Sequence, residues 1–143
     1  MDTTPIVARL SVIVNSVNAL KDLQKLTYDE FAVDHILHAS AERHFQVAIQ
    51  AALDIGGVLL AEVSPNVPAN YTDVFLQLAE AGVLPLDFAQ KIVGMAKFRN
   101  VLVHLYVEVD LHKVYYYLQN DLEDFELYMR YVSEYLTGLD KQS

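Results

Sequence analysis

The chain has 143 residues, of which 53% are hydrophobic and 20% are charged, and its formal net charge is −9. This composition excludes an intrinsically disordered chain, and the length is that of one domain, residues 1–143. The sequence contains no cysteine, which excludes a disulfide framework, a thiol nucleophile and a thiolate zinc site.

The first ten residues contain neither the basic segment nor the apolar segment of a signal peptide. The strongly apolar runs, such as residues 55–61, are shorter than a membrane span. We therefore expect a cytoplasmic protein that does not enter a membrane. The high apolar fraction also favours a homo-oligomer.

The N-terminal part of the sequence predicts two helices, with a new helix-start signal between them. Thr4 before Pro5 predicts a helix start, with proline at the first helical position. An apolar stripe with spacings of three and four follows: Ile6, Leu10, Ile13, Val17 and Leu20. Thr27 and Glu30 have the spacing of a capping box. Residues 41–63 then predict a long helix whose apolar face is wide enough for the helix to be mostly buried.

One clear loop divides the sequence. Residues 64–70 contain two prolines and two asparagines, which suit turns and caps. Asn70 can cap a short helix over residues 71–81, and Gly82 can stop it.

The remaining sequence predicts two more helices and no strand. One helix runs from about residue 86 to about residue 103. Asp110 can cap the last helix, which we expect to continue to Gly138. No window alternates as a strand does. The prediction is an all-α antiparallel bundle of four to five helices.

Four polar residues interrupt an apolar segment at residues 97–110: Arg99, Asn100, His104 and Tyr106. On an ideal helix, Asn100 and His104 are about 40° apart, and Arg99 and Tyr106 about 20° apart. Arg99 and His104 are about 140° apart, so a straight helix does not bring them together. Either the helix ends near His104, or a second copy of the segment completes the site.

This combination suits cleavage of a phosphodiester. Arginine offers a planar fork to a phosphate, and histidine can move a proton at neutral pH. RNA carries its own nucleophile, the 2′-hydroxyl, so one base and one cation can suffice without a metal. By spacing alone, the same residues also fit a structural role in which internal hydrogen bonds hold them.

The run FRNVLVHLY at residues 98–106 resembles the Arg-x4-His-x-Tyr signature of HEPN-domain ribonucleases. The match is closest to the HepT branch, the partner of MNT-type minimal nucleotidyltransferases. Residues 41–62, 70–85 and 121–132 resemble further helices of that family. The resemblance therefore extends over most of the chain.

The resemblance implies a homodimeric helical bundle whose two motif copies face one another across a shared cleft. It implies a toxin with metal-independent endoribonuclease activity and no cofactor, with tRNA as the best guess for the substrate. Arg99 and His104 would be the catalytic pair, and Asn100 would support them. Tyr106 would be the residue that the nucleotidyltransferase antitoxin modifies with AMP, which silences the toxin.

The charge distribution fits an acidic protein that still binds RNA. Residues 91–113 carry a net charge of +2, whereas the other 120 residues carry −11. Two such segments would lie together in the cleft of a dimer. The acidic remainder would repel non-specific RNA and could attract a basic antitoxin.

Several polar residues of the long helix are candidates for a role beyond core packing. Asp54 interrupts an apolar stretch, and it either pairs with Arg99 and fixes its guanidinium or faces water at a rim. Glu42, Arg43 and Gln46 suit hydrogen bonds between helices first and substrate contacts second. His35 and His38 could share a helical face with Glu42, but the HExxH pattern is absent and we predict no metal site.

Two alternatives to a nuclease remain at this point. The chain could be a non-catalytic nucleotide-binding or scaffolding HEPN module whose tyrosine only accepts a modification. It could also be a structural partner protein, with Arg99 and His104 held in internal hydrogen bonds. The solvent exposure of Arg99 and His104 distinguishes this structural alternative from a functional site.

Overall fold

The computed structural model describes the backbone of residues 1–64, 66–104 and 108–142, and the side chains of those residues up to 139. Within these ranges the chain folds into seven α-helices and no strand, which confirms the all-α prediction. The helices are α1 (Thr4–Leu23), α2 (Tyr28–Val33), α3 (His35–Val63), α4 (Tyr71–Glu80), α5 (Leu86–Val103), α6 (Leu111–Asn120) and α7 (Leu122–Gln142). The predicted count of four to five helices was too low, because one short helix was not foreseen and another helix is broken in two.

The start of α1 differs from the prediction by one residue. Thr3, not Thr4, is the N-cap, and its side chain makes no capping hydrogen bond. Asp2 takes that role, since its Oδ1 accepts from the backbone N–H of Thr4 at 2.9 Å. The apolar stripe behind it packs into the core as its spacing predicts.

The capping box predicted at Thr27 and Glu30 is present, and it starts a short helix that was not predicted from the sequence. The Thr27 side chain accepts from the Glu30 backbone and the Glu30 side chain accepts from the Thr27 backbone, and together they start the six-residue α2. Asp34 then caps α3 by accepting from two backbone N–H groups. The long helix therefore begins at His35 rather than near residue 41, because Asp34 supplies a second start signal.

The caps around α4 agree with the sequence. The Asn70 side chain accepts from the backbone N–H of Asp73 at 3.2 Å. Gly82 has φ +81°, a left-handed conformation that favours glycine, and it ends the helix. The helix predicted over residues 86–103 is observed as α5 with the same bounds.

The predicted last helix is two helices. Asp110 caps α6, as expected, by accepting from the backbone N–H of His112 at 2.9 Å. The chain leaves helical geometry at Asp121, with φ −116° and ψ 4°, and restarts as α7. Asn120 and Asp121 are polar residues that compete with helical backbone bonding and favour caps, which explains the break here.

Helix α3 is the centre of the bundle, where it packs against α1, α4 and α5. The close approach of α4 depends on Gly56, because a Cβ there would lie 2.5 Å from Val74 Cγ1. From α7, the buried Tyr128 hydroxyl donates to the Ala52 carbonyl of α3 at 2.7 Å. The burial of this hydroxyl raises the pKa of Tyr128 well above its usual value.

By length and composition alone, α3 could cross a membrane, and it is the one helix of the described residues that could. Half of its apolar window is buried inside the bundle, as in the core helix of a folded domain. The prediction from uninterrupted apolar runs did not detect it, since polar residues such as Gln46 and Gln50 divide those runs.

Candidate active site

The Arg99 guanidinium, near the end of α5, is contacted by three neighbouring side chains. Its Nε–H donates to Gln50 Oε1 of α3 at 2.8 Å, and its Nη1–H donates to Asn100 Oδ1 at 3.2 Å. Its Cζ lies 4.5 Å from the centre of the Tyr71 ring, a cation–π distance. Arg99 is half-buried, so the guanidinium is oriented while part of it still faces solvent.

The orientation of Gln50 is fixed by its other neighbour. Gln50 Nε2 donates to Asp54 Oδ1 at 2.8 Å. An ionised carboxylate only accepts, so the amide oxygen of Gln50 must face Arg99. Asp54 Oδ2 lies 3.6 Å from Nε of Arg9 on α1. The predicted link between Asp54 and Arg99 therefore runs through Gln50, and the direct ionic partner of Asp54 is Arg9.

These residues line a cleft of about 720 Å³, which we call the arginine cleft. Its polar lining residues are Arg9, Arg43, Gln46, Gln50, Asp54, Tyr71 and Arg99. It runs along α3 between α1 and the ends of α4 and α5. The bond from Arg43 to Gln46, at 3.5 Å, and the contact of Glu42 with His38, at 3.3 Å, both lie within α3. Among the described residues, the structure therefore gives no support to the predicted hydrogen bonds between helices.

A second recess adjoins the arginine cleft and shares Tyr71 with it. Its volume is about 530 Å³, and Asn70, Tyr71 and Asn100 are among its lining residues. Asn100 therefore contacts Arg99 with its oxygen and also lines this recess. The structure brings Arg99 and Asn100 together, as their adjacent positions in the motif require.

His104 lies where α5 ends. The helix stops at Val103, and His104 has φ −89° and ψ 94° with its backbone N–H donating to Val101 at 3.3 Å. Of the two geometric alternatives, the helix does end near His104. The His104 side chain is exposed and does not belong to the described lining of either cleft. Tyr106 lies outside the described residues.

The exposure of these side chains bears on the structural alternative. Arg99 does make internal hydrogen bonds, but it also lines a cleft, and His104 is exposed at a helix end. A side chain that serves only the core would be buried there. The exposure of His104 agrees with the functional interpretation, whereas the internal hydrogen bonds of Arg99 fit either one, so the roles of both residues stay a prediction.

The other histidines of the first turns of α3 pair locally. His38 Nδ1 lies 3.3 Å from Glu42 Oε2, and the rings of His35 and His38 are 5.0 Å apart. Among the residues the structure describes, no group of three or more histidine and acidic side chains is placed to hold a metal ion.

Three residues of the arginine cleft were missed from the sequence: Arg9, Gln50 and Tyr71. A signal existed for Gln50, which lies four residues before Asp54 and so shares its helical face. Arg9 lies on the half-exposed side of α1, where a charged residue is ordinary. Only the packing of α1 and α4 against α3 shows that Arg9 and Tyr71 reach the same cleft as Arg99.

Comparison with known proteins agrees with this architecture. The chain is 26% identical over 135 residues to the tRNA nuclease HepT of Aphanizomenon flos-aquae, covering 94% of this chain and 92% of that protein. It is 27% identical over 124 residues to the mRNA nuclease HepT of Shewanella oneidensis, covering 82% and 93%.

A solved structure has the same fold: the tri-AMPylated Shewanella oneidensis HEPN toxin in complex with the MNT antitoxin. The TM-score is 0.84 at 23% identity, over 94% of this chain and 99% of the other. The family model described as ribonuclease HepT-like matches residues 13–132, which is most of the chain. The protein is therefore a member of the ribonuclease HepT-like family.

Proposed function

We propose that the chain is the toxin of a toxin–antitoxin pair and a metal-independent endoribonuclease, with residues 1–143 forming a single HepT-like domain. The observation that carries the proposal is the oriented Arg99 guanidinium in a cleft lined by two further arginines. Both curated relatives named above are ribonucleases. We favour tRNA as the substrate, since the tRNA nuclease aligns over more of this chain. Such a substrate implies a cytoplasmic location.

In the proposed reaction, Arg99 binds the scissile phosphate and its developing negative charge. His104 accepts the proton of the 2′-hydroxyl as that oxygen forms a bond to phosphorus. The bond from phosphorus to the 5′-oxygen breaks, and the leaving oxygen takes a proton from water, while protonated His104 returns its proton to solvent. The products are a 2′,3′-cyclic phosphate and a 5′-hydroxyl. Asn100 supports the step by accepting from Arg99 Nη1.

Asp54 and Gln50 are proposed as positioning residues. Asp54 fixes the amide of Gln50, and the amide oxygen then fixes the Nε–H edge of Arg99. This arrangement leaves the outer edge of the guanidinium to the substrate phosphate. Preorganised cations are effective because they need not reorganise during the reaction.

A homodimer completes the proposed site. Arg99 lines the arginine cleft, whereas His104 is not among its described lining residues. We propose that a second copy, with its motif facing the first, brings an arginine and a histidine to one phosphate. Light scattering at micromolar concentration tests this. We expect twice the mass of the chain, and a monomer would contradict the shared site.

The variants Arg99→Ala and His104→Ala test the catalytic assignment. Each should lower RNA cleavage by about 10²–10⁴-fold, the usual contribution of a general acid–base or charge-stabilising group. The readouts are growth after induction and cleavage of total tRNA in EDTA, with circular dichroism to verify folding.

His35→Ala is the matched control, since His35 is an exposed histidine outside the Arg99–His104 motif and does not line the arginine cleft. It should cleave as the wild type does. Wild-type cleavage by both motif variants would refute the assignment. A wild-type protein that binds RNA but never cleaves it would favour the non-catalytic HEPN module.

Control of the toxin is proposed to act at Tyr106, through AMP transfer by an MNT-type nucleotidyltransferase antitoxin. The support is the Shewanella oneidensis toxin, which is AMPylated and bound to such an antitoxin. The added phosphodiester carries negative charge, and it would compete with the substrate phosphate for the arginine of the motif.

Tyr106→Phe should therefore keep nuclease activity and escape silencing, because the hydroxyl is not in the proton path. Intact mass after incubation with the antitoxin and ATP provides the readout. Adducts that persist on the Phe variant would reject Tyr106 as the acceptor and leave the catalytic assignment intact.

A further inference from the structure

The arginine cleft holds more cationic charge than one scissile phosphate needs. Three of the four arginines in the sequence line it, namely Arg9, Arg43 and Arg99, and none of the six lysines does. Asp54 is the one carboxylate among its described lining residues. The lining is therefore net positive by two charges in a protein whose net charge is −9.

The three arginines follow the axis of α3. Arg43, Gln50 and Asp54 fall on one helical face, within about 40° of each other. Gln50 lies about 10 Å from Arg43 along the axis, and Asp54 about 6 Å further on, at 1.5 Å per residue. Because Arg99 bonds to Gln50 and Arg9 pairs with Asp54, the order along the cleft is Arg43, Arg99, Arg9.

The two outer arginines have weak side-chain partners, and Arg9 Nη1–H also donates to the Pro5 carbonyl of α1 at 3.1 Å. The Arg9 and Asp54 side chains are 39% and 41% exposed, and their charged atoms are 3.6 Å apart. Exposed ion pairs of this kind add little stability and are screened by salt. Arg43 is exposed, and its one described polar contact is the 3.5 Å bond to Gln46. Arg9 can thus exchange its contact with Asp54, and Arg43 its contact with Gln46, for a phosphate at small cost.

We propose that Arg9 and Arg43 are phosphate-binding subsites for the nucleotides on either side of the scissile phosphate at Arg99. A single-stranded stretch of RNA then runs along α3, from Arg43 past Arg99 to Arg9. The inference rests on the proposed function, because it takes Arg99 to hold the scissile phosphate. These contacts position the strand and do not read its sequence, since phosphates carry no base information.

The choice of arginine supports a phosphate ligand. The guanidinium fork matches two phosphate oxygens at once, which a lysine ammonium cannot do. A cleft that only improved solubility would show no preference between the two residue types. RNA strands in loops are also the usual targets of RNA-binding proteins, because their backbones and bases are accessible.

The test is the salt dependence of RNA binding. The probes are fluorescein-labelled U12 and A12 oligonucleotides with 2′-O-methyl riboses, which lack the nucleophile and cannot be cleaved. For single strands, the slope of log K against log salt changes by about 0.7 for each phosphate contact. Arg9→Gln and Arg43→Gln should each make the slope shallower by about that amount, and equally for both probes. The double variant should lose about twice as much.

Arg130→Gln is the matched control, because Arg130 is the fourth arginine, is exposed on α7, and does not line the cleft. It removes the same charge and should leave the slope unchanged. Arg9→Lys and Arg43→Lys should keep the slope while binding more weakly than wild type, which separates lost charge from lost folding.

Slopes for Arg9→Gln and Arg43→Gln that match Arg130→Gln would overturn the subsites, as would a wild type that fails to bind either probe at low salt. The proposed nuclease has a separate readout, cleavage of tRNA in EDTA. If the wild type cleaves tRNA but the Arg9 and Arg43 variants leave the salt slope unaltered, the subsites are rejected and the nuclease stands. If the variants alter the slope but the wild type does not cleave tRNA, the subsites stand as RNA contacts and the nuclease is rejected.

Discussion

Two ion pairs of the bundle use their charges in opposite ways. Asp124 of α7 is 7% exposed, and Lys91 Nζ of α5 donates to it at 3.0 Å while Lys91 itself is 61% exposed. In the arginine cleft, Asp54 is 41% exposed and Arg9 lies 3.6 Å away. In the first pair an exposed lysine neutralises a buried carboxylate. In the second pair an exposed carboxylate lies beside one of three arginines that line the same cleft.

We interpret the first pair as one that stabilises the fold and the second as part of the proposed RNA-binding site. The hydrogen bond to Asp124 raises the pKa of Lys91, which shows that the pair favours the charged lysine. The arginine cleft instead keeps guanidinium groups in excess of carboxylates, and an excess of one charge costs stability unless a ligand neutralises it. We therefore expect mutations at the first pair to change folding and mutations in the cleft to change activity.

The largest expected effect on stability follows from Lys91→Met. It leaves the Asp124 carboxylate buried without its ammonium partner, at a cost of about 1–3 kcal/mol. Arg9→Met should change the free energy of unfolding by less than about 0.5 kcal/mol, because its partner is exposed. Urea unfolding followed by circular dichroism measures both. Equal losses in the two variants would remove the distinction between the pairs.

The pH dependence of the Lys91 contribution has a definite sign. The pKa of Lys91 is raised in the folded state, so the stability it adds is complete below its unfolded pKa. That stability is lost as the pH rises through the folded pKa, in the alkaline range. At neutral pH the contribution of the pair should therefore be constant.

The next effect concerns Gln50, which joins Asp54 to Arg99 in the arginine cleft. Gln50→Leu should lower cleavage about tenfold, because the Nε–H of Arg99 loses its acceptor and the guanidinium is no longer oriented. Gln50→Glu keeps an acceptor there and should recover part of the loss. The measurement is kcat on tRNA together with the melting temperature. Equal activity in the Leu and Glu variants would argue against a positioning role.

The smallest effect should come from Asp121, at the break between α6 and α7. Burial, followed by the neighbouring Asp124, raises the pKa of the Asp121 carboxyl. A raised pKa means that the folded state binds the proton more tightly, so ionised Asp121 destabilises the fold above that pKa. Asp121→Asn should thus stabilise by up to about 0.5 kcal/mol at pH 7, with the gain vanishing below about pH 4. A gain that persists at pH 3 would contradict this cause.

The helix ends that could be predicted from the sequence are those fixed by hydrogen bonds between residues close together in the chain. Thr27, Asn70 and Asp110 each hydrogen-bond to backbone within three residues, so their sequence neighbours suffice to identify them. The early start of α3 was missed because Asp34 competes with the nearby capping box. The break at Asp121 was missed because the apolar periodicity continues across it.

The candidate site likewise contains residues that a short motif indicates and residues that only the packing of helices brings to the site. Arg99, Asn100 and His104 were identified because they share one short motif. Gln50 is 49 residues from Arg99 in sequence, and their bond exists only because α3 packs against α5. The long-range partners of a motif depend on which helix faces meet, and a single sequence does not state this.

The central claim is that the 2′-hydroxyl of the substrate attacks the phosphate held at Arg99. The most direct test uses an RNA oligonucleotide in which the cut site has been mapped, with the single 2′-hydroxyl on the 5′ side of that site replaced by hydrogen. The account predicts that the wild-type protein, in EDTA, binds this oligonucleotide as it binds the parent RNA and does not cut it at that position. Continued cleavage there, or fragments that end in a 3′-hydroxyl, would contradict the account.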